Sequence, residues 1–191
     1  MAILVFGLII FLGMHSVQIV WPHVRTRTIA KMGSVGAWKL SFTGIAVIGL
    51  TLIILGYSLA RHSAPVLYYP PAALRHLALL VMLPVFPLLF ASYIKGRLTQ
   101  RLGHPMLIAT ILWAVAHLMA NGSLADLLLF GSFLVWAALD WRSLLRRDGA
   151  VVSPQPARRG RNDVISIVAG LLVYVVFIAG LHAWLFGVSP I

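Results

Sequence analysis

The sequence predicts an all-α fold: a polytopic membrane bundle of six transmembrane helices, with the N- and C-termini outside, in the periplasm. Three observations carry this. Only 10% of the residues are charged and 61% are hydrophobic, where a soluble domain would be about a quarter charged. The apolar residues gather into six stretches near the roughly 20 residues that a spanning helix needs. Thirteen of the 15 Lys and Arg then fall into alternate connecting segments, as the positive-inside rule requires of cytoplasmic loops.

The elements follow in order, within a single membrane domain spanning residues 1–191. The first helix covers 2–20. Its opening, "MAILVFGLIIFLGMHS", lacks the basic n-region and small-residue cleavage site of a signal peptide, so it reads as an uncleaved span. The second covers 41–60. The third, 74–94, contains "VMLPVFPLLF", where Pro84 and Pro87 each lack an N–H and disturb the preceding turn. That break is a simple kink or a cavity-lining interruption. The fourth and fifth, 105–121 and 124–139, are short, and "NGSLAD" between them predicts a tight hairpin. The sixth covers 164–187. Residues 142–163, "RSLLRRDGAVVSPQPARRGRND", read as a flexible basic cytoplasmic loop.

On this topology Arg61 and Arg75 are the only outer bases; Arg25, Arg27, Lys31, Lys39, Lys95, Arg97, Arg101 and the cluster after Arg142 lie inside. Trp21, Trp38, Tyr68, Tyr69, Trp141 and Trp184 near helix ends read as interfacial anchors. Small residues four apart (Ala116/Ala120, Ser166/Gly170, Ala179/Ala183) suit close helix packing.

Several function classes drop out. The chain has no cysteine, which removes disulfides, thiolate metal sites and thiol catalysis. The net charge of +11 belongs to topology, and no basic stretch interleaved with aromatics suggests nucleic acid. All four carboxylates, Asp126, Asp140, Asp148 and Asp163, are expected at or beyond helix ends. That argues against an acidic proton relay or a mid-membrane cation site.

Chemistry is left to seven histidines. His23, His62, His76, His104 and His182 lie in loops or near predicted helix ends. Only His15, in "FLGMHSVQIV", and His117, in "LWAVAHLMANG", fall well inside apolar sequence. An ionisable side chain within a span is costly and is a functional candidate by default. The bland alternative is an imidazole bonded to a neighbouring helix for packing alone.

A pair of neutral imidazoles in an apolar bundle suits haem b, whose macrocycle wants apolar walls and whose iron takes axial imidazole. A non-haem site would usually want a third ligand. Asn121 and Trp113, four residues after and before His117, lie on its helix face, as a partner for the second ring nitrogen and as a wall. Arg25, Arg61 and Arg75 are candidates for propionate contacts. Depth argues the other way: His15 should lie about 10 Å and His117 about 18 Å from the cytoplasmic side at 1.5 Å per residue. His76 paired with His117 is therefore an alternative ligand set.

The segments "FLGMHSVQIVWPHVR", "KMGSVGAWKLSFTGIAVIGLTLIILGYSLAR", "LRHLALLVMLPVFPLL" and above all "GHPMLIATILWAVAHLMANG" resemble the NnrU family of bacterial inner-membrane proteins. The resemblance covers most of the chain and is strongest from Gly13 to Arg147. It implies an association with denitrification, in nitrite and nitric oxide reduction. The histidine-bearing segments are also similar to plant zeta-carotene isomerase, a membrane haem b enzyme with two histidine ligands. The matching positions are His15 and His117, while His104 in "GHP" matches a histidine that is not an axial ligand. The resemblance implies a haem b protein of redox or sensing role. A haem-dependent cis–trans carotenoid isomerase, or a non-enzymatic assembly factor that docks components of a denitrification reductase, are the other expectations.

Overall fold

The computed structural model describes residues 1–148 and 160–190. Among them are ten α-helices and one π-turn, grouped into two compact units that interleave along the chain.

The first unit comprises Met1–Tyr68 and Gly122–Ser143. Helix α1 (Ala2–Val20) and helix α3 (Val35–Ala60) pack closely in antiparallel fashion. Three glycines make this seam. Gly56 lies against the backbone of Leu4 and Gly7 against Leu52 and Ile53. At Gly49, an added Cβ would sit 2.9 Å from the Phe11 nitrogen. Helices in lipid gain nothing by hiding apolar surface from each other, so backbone approach at small residues drives their association. Helix α8 (Leu124–Asp148) contributes the third wall. Its start is clasped by the segment after α3: Leu67 and Tyr68 donate their N–H groups to the Gly122 carbonyl (2.7 and 3.2 Å), and Leu124 donates to Pro65 (2.9 Å).

Tyr69–Asn121 and Leu144–Ile191 form the second unit. It holds α4 (Ala72–Met82), α5 (Val85–Tyr93), α6 (Arg97–Leu102), α7 (Pro105–Ala120) and α9 (Gly160–Val176). The π-turn Phe177–Leu181 and α10 (His182–Phe186) follow. Val85, Leu88 and Ala109 form its buried centre, with Met82, Leu112 and Trp113 packed around them. Asp163 of α9 caps α6, accepting from the Leu98 N–H at 2.9 Å and the Arg97 N–H at 3.1 Å.

The proline break between α4 and α5 is a packed kink. Pro84 cannot donate to the Leu80 carbonyl, which accepts instead from the Leu83 N–H at 3.2 Å. The shift of Leu83 to a three-residue bond leaves the Leu79 carbonyl to accept from the Tyr174 hydroxyl at 2.9 Å. Pro87 is buried against Gly170, where a side chain would strike its ring and backbone. Ser166, Gly170 and Tyr174, four residues apart, are the buried face of α9.

Four helical segments among the described residues are long and apolar enough to cross a membrane: Val35–Ala60, Ala72–Tyr93, Leu124–Arg146 and Gly160–Phe186. Ala2–Val17 and Pro105–Ala120 are apolar but shorter.

Several predicted boundaries move. Residues 21–40 are not all loop: Pro22–Met32 is a helix, α2, with proline at its start and left-handed Gly33 at its end. Helix α3 begins six residues earlier than expected, because the Ser34 hydroxyl caps it by accepting from the Ala37 N–H at 3.3 Å. The expected flexible loop 142–163 is helical to Asp148 and again from Gly160; its central part, 149–159, lies outside the described residues. Asp140 consequently sits within a helix rather than beyond one.

Candidate functional site

His15 stands on the last turns of α1, half-buried among aromatic rings from α1, α3 and α8. Phe11 lies 4.3 Å from it between centroids, one turn earlier. Phe42 of α3 lies 5.1 Å away and Trp136 of α8 5.9 Å away, each edge-on, the indole at 87° to the imidazole. Its Nδ1 is 2.7 Å from the Phe11 carbonyl. A carbonyl only accepts, so Nδ1 carries a proton, and in the neutral ring the lone pair is on Nε2. Nε2 meets no partner among the described residues.

The same local device recurs in the second unit. His117 is half-buried on α7 and its Nδ1 is 2.8 Å from the Trp113 carbonyl, with the indole and imidazole centroids 5.2 Å apart. Trp113 is itself packed on the buried centre of its unit, so the carbonyl that fixes the tautomer stands on a firm base. The Asn121 side-chain amide donates to the main-chain carbonyl of His117 at 2.9 Å. The Trp113 carbonyl, rather than the expected Asn121, thus meets Nδ1, and Asn121 secures the end of the helix.

The remaining histidines are placed differently. His23, His62 and His76 are exposed. His76, the alternative ligand, has no hydrogen bond to either ring nitrogen among the described residues. His104 precedes α7 as its cap residue, and His182 directs Nδ1 at the Val188 carbonyl, 2.7 Å away. Of the candidate propionate partners, Arg25 is exposed on α2, Arg75 is exposed in the first turn of α4, and Arg61 is half-buried at the end of α3.

Taken one at a time, the two imidazoles have the chemistry of an axial haem ligand. A histidine ligand needs one ring nitrogen held by a hydrogen bond so that the other faces the metal with its lone pair, and both His15 and His117 are set in that tautomer. Aromatic walls stand beside each ring. Among the described residues, no three His, Cys, Asp or Glu side chains gather as a metal site.

The chain matches the family model described as NnrU protein over residues 3–190. It belongs to the NnrU family. No curated protein and no solved structure matches it. In this NnrU chain the sequence reading missed two features. One is a polar cluster in which Tyr57 donates to Asp126 at 2.6 Å, while Asp126 also accepts from the Ser123 N–H (2.9 Å) and hydroxyl (2.6 Å). Asp126 is buried, and the "SLAD" run that forms this box at the start of α8 is a readable capping signal. The other is Trp136, whose indole N–H is buried without a partner among the described residues. No local sequence pattern marks it.

Proposed function

We propose that this chain is a membrane haem b protein of the bacterial inner membrane, with His15 and His117 as axial ligands and a redox or sensing role in denitrification. The observation that supports it best is the shared setting of the two imidazoles, each with Nδ1–H given to the carbonyl four residues back, at 2.7 and 2.8 Å. Family membership supports the link to nitrite and nitric oxide reduction. Bound haem supplies one-electron transfer while both imidazoles hold it, or an open coordination position where one lets go. The chain's part is to keep Nε2 of each histidine unprotonated, to wall the group with aromatic rings and to balance its propionates with arginine. Arg25 on the inner side, or Arg61 and Arg75 on the outer, serve that last need.

The topology belongs to the same proposal: six crossings, with α1 and α7 completing the set and the N-terminus outside. The distribution of the 15 basic residues supports it.

A visible spectrum of detergent-purified protein, expressed with ample haem precursor, tests the function. The expected result is a Soret band that His15→Ala and His117→Ala each abolish or shift. No band in the wild type overturns the proposal, and unchanged spectra in both variants move the ligands elsewhere. Because the chain has no cysteine, Ser63→Cys and Thr28→Cys report topology directly. An impermeant thiol reagent should label the first from the periplasm and the second only after the membrane is opened.

A further inference from the structure

Within the first unit, two polar functions in one aromatic cluster meet no hydrogen-bond partner among the described residues. His15 presents Nε2 as a lone-pair base, its other nitrogen being occupied by Phe11. Trp136, whose ring stands edge-on 5.9 Å from the imidazole, carries a buried indole N–H with no acceptor. Leaving a buried donor unmade costs roughly 1–3 kcal/mol, and in a bundle with apolar surroundings water is no ready substitute. Phe11, Phe42 and Phe133 supply the neighbouring walls and offer no acceptor of their own through their side chains.

A Lewis base and a hydrogen-bond donor in one aromatic cluster suit a ligand with a Lewis acid and an acceptor on the same molecule. A metalloporphyrin bearing carboxylates has both. We infer that Trp136 donates its indole N–H to a propionate carboxylate of the haem held by His15, making it a positioning residue for that group. This rests on the haem reading above. It assigns one propionate to the interior of the first unit, beside α8, and leaves the arginines to the other. A hydrogen bond to a carboxylate is a charge-assisted one, about twice as strong as its neutral counterpart.

The test uses the full-length protein and the substitution Trp136→Phe, which keeps an aromatic ring and removes the N–H. The variant should retain the Soret band and lose haem to a scavenger about tenfold faster, the equivalent of about 1.4 kcal/mol from a bond to a charged group. The reduction potential should fall, since the carboxylate charge is no longer shared. Ultraviolet resonance Raman difference spectra between wild type and variant should show an indole N–H hydrogen bond that appears only on haem loading. As a second arm that needs no substitution, the wild type is loaded with haem b dimethyl ester. The ester should weaken binding strongly in the wild type and much less in Trp136→Phe.

A wild type with a Soret band whose loss rate, potential and ester penalty are all untouched by Trp136→Phe overturns this inference and leaves the haem reading standing. A wild type without a Soret band overturns both. Should the variant fail to fold, an indole N–H signal in the wild type that haem and its dimethyl ester shift alike also overturns it.

Discussion

The two units fix their histidines by the same bond but support the rings by different means. His15 depends on tertiary structure: its walls come from α1, α3 and α8, and its own carbonyl partner, Phe11, is pressed against Gly49. His117 is set within α7, with Trp113 one turn before it and Asn121 one turn after, and Trp113 is packed against the core of its unit. The lesson is that equal local geometry can have unequal vulnerability. Whatever loosens the α1–α3 seam should disturb His15, whereas the setting of His117 should survive most changes that leave α7 helical.

The largest effect that would break this contrast is at the seam. Gly49→Val places a side chain against the Phe11 backbone and should cost about 3 kcal/mol, the upper range for overpacking, measured by unfolding in mixed micelles. On the proposed function it should also alter the haem spectrum. Gly170→Val acts on Pro87 in the other unit, with a comparable loss of stability and a smaller spectral change. Equal spectral changes would erase the distinction between the units.

A middle-sized pair sharpens it further. Tyr57→Phe removes a donor from buried Asp126 and should cost about 1.5 kcal/mol, as for bonds to charged groups. Tyr174→Phe takes only a neutral bond from the Leu79 carbonyl and should cost about 0.6 kcal/mol, the average for bonds between membrane helices. The order of the two losses, measured in the same micelles, is the prediction.

The smallest effect is one of pH. In the clasp between α3 and α8, burial, and next the charge of Asp126, raise the Tyr68 phenol above its ordinary value. The folded state therefore holds this proton more tightly than the unfolded state does. The contribution is fully present below pH ~10, the unfolded value, and is lost as pH rises through the higher folded value. Tyr68 is 42% exposed, so the contribution is slight. The difference in phenolate absorbance between wild type and Tyr68→Phe should show a midpoint above ~10.

Much of the architecture was legible because the bilayer writes long apolar runs, and the cores of the six predicted spans all emerge as helix. Helix α2 escaped notice since its polar residues mask it, although Pro22 and Gly33 are its proper start and stop signals. Hydrophobicity alone also cannot find a helix that outlasts its apolar part, as α8 does to Asp148. In the candidate site, His15 and His117 stand out in the sequence because they interrupt apolar runs, and Trp113 because it lies four residues before His117. Tyr57 with Asp126 was not, because 69 residues separate them and only folding brings the phenol to the capping box. Trp136 was hidden for the same reason: a missing partner is a property of three dimensions.

The interleaving of the two units has a consequence for how the protein is made. The chain delivers α1 and α3 first, and their third companion, α8, emerges only after α4 to α7 have been synthesised. During that interval Tyr57 awaits Asp126, and His15 awaits the indole of Trp136. A ribosome stalled after Asn121 would thus hold a hairpin with an unfinished aromatic wall. On the proposed function, haem capture by the first unit should be a late event in biogenesis, timed by the arrival of α8 and closed by the backbone clasp at Gly122.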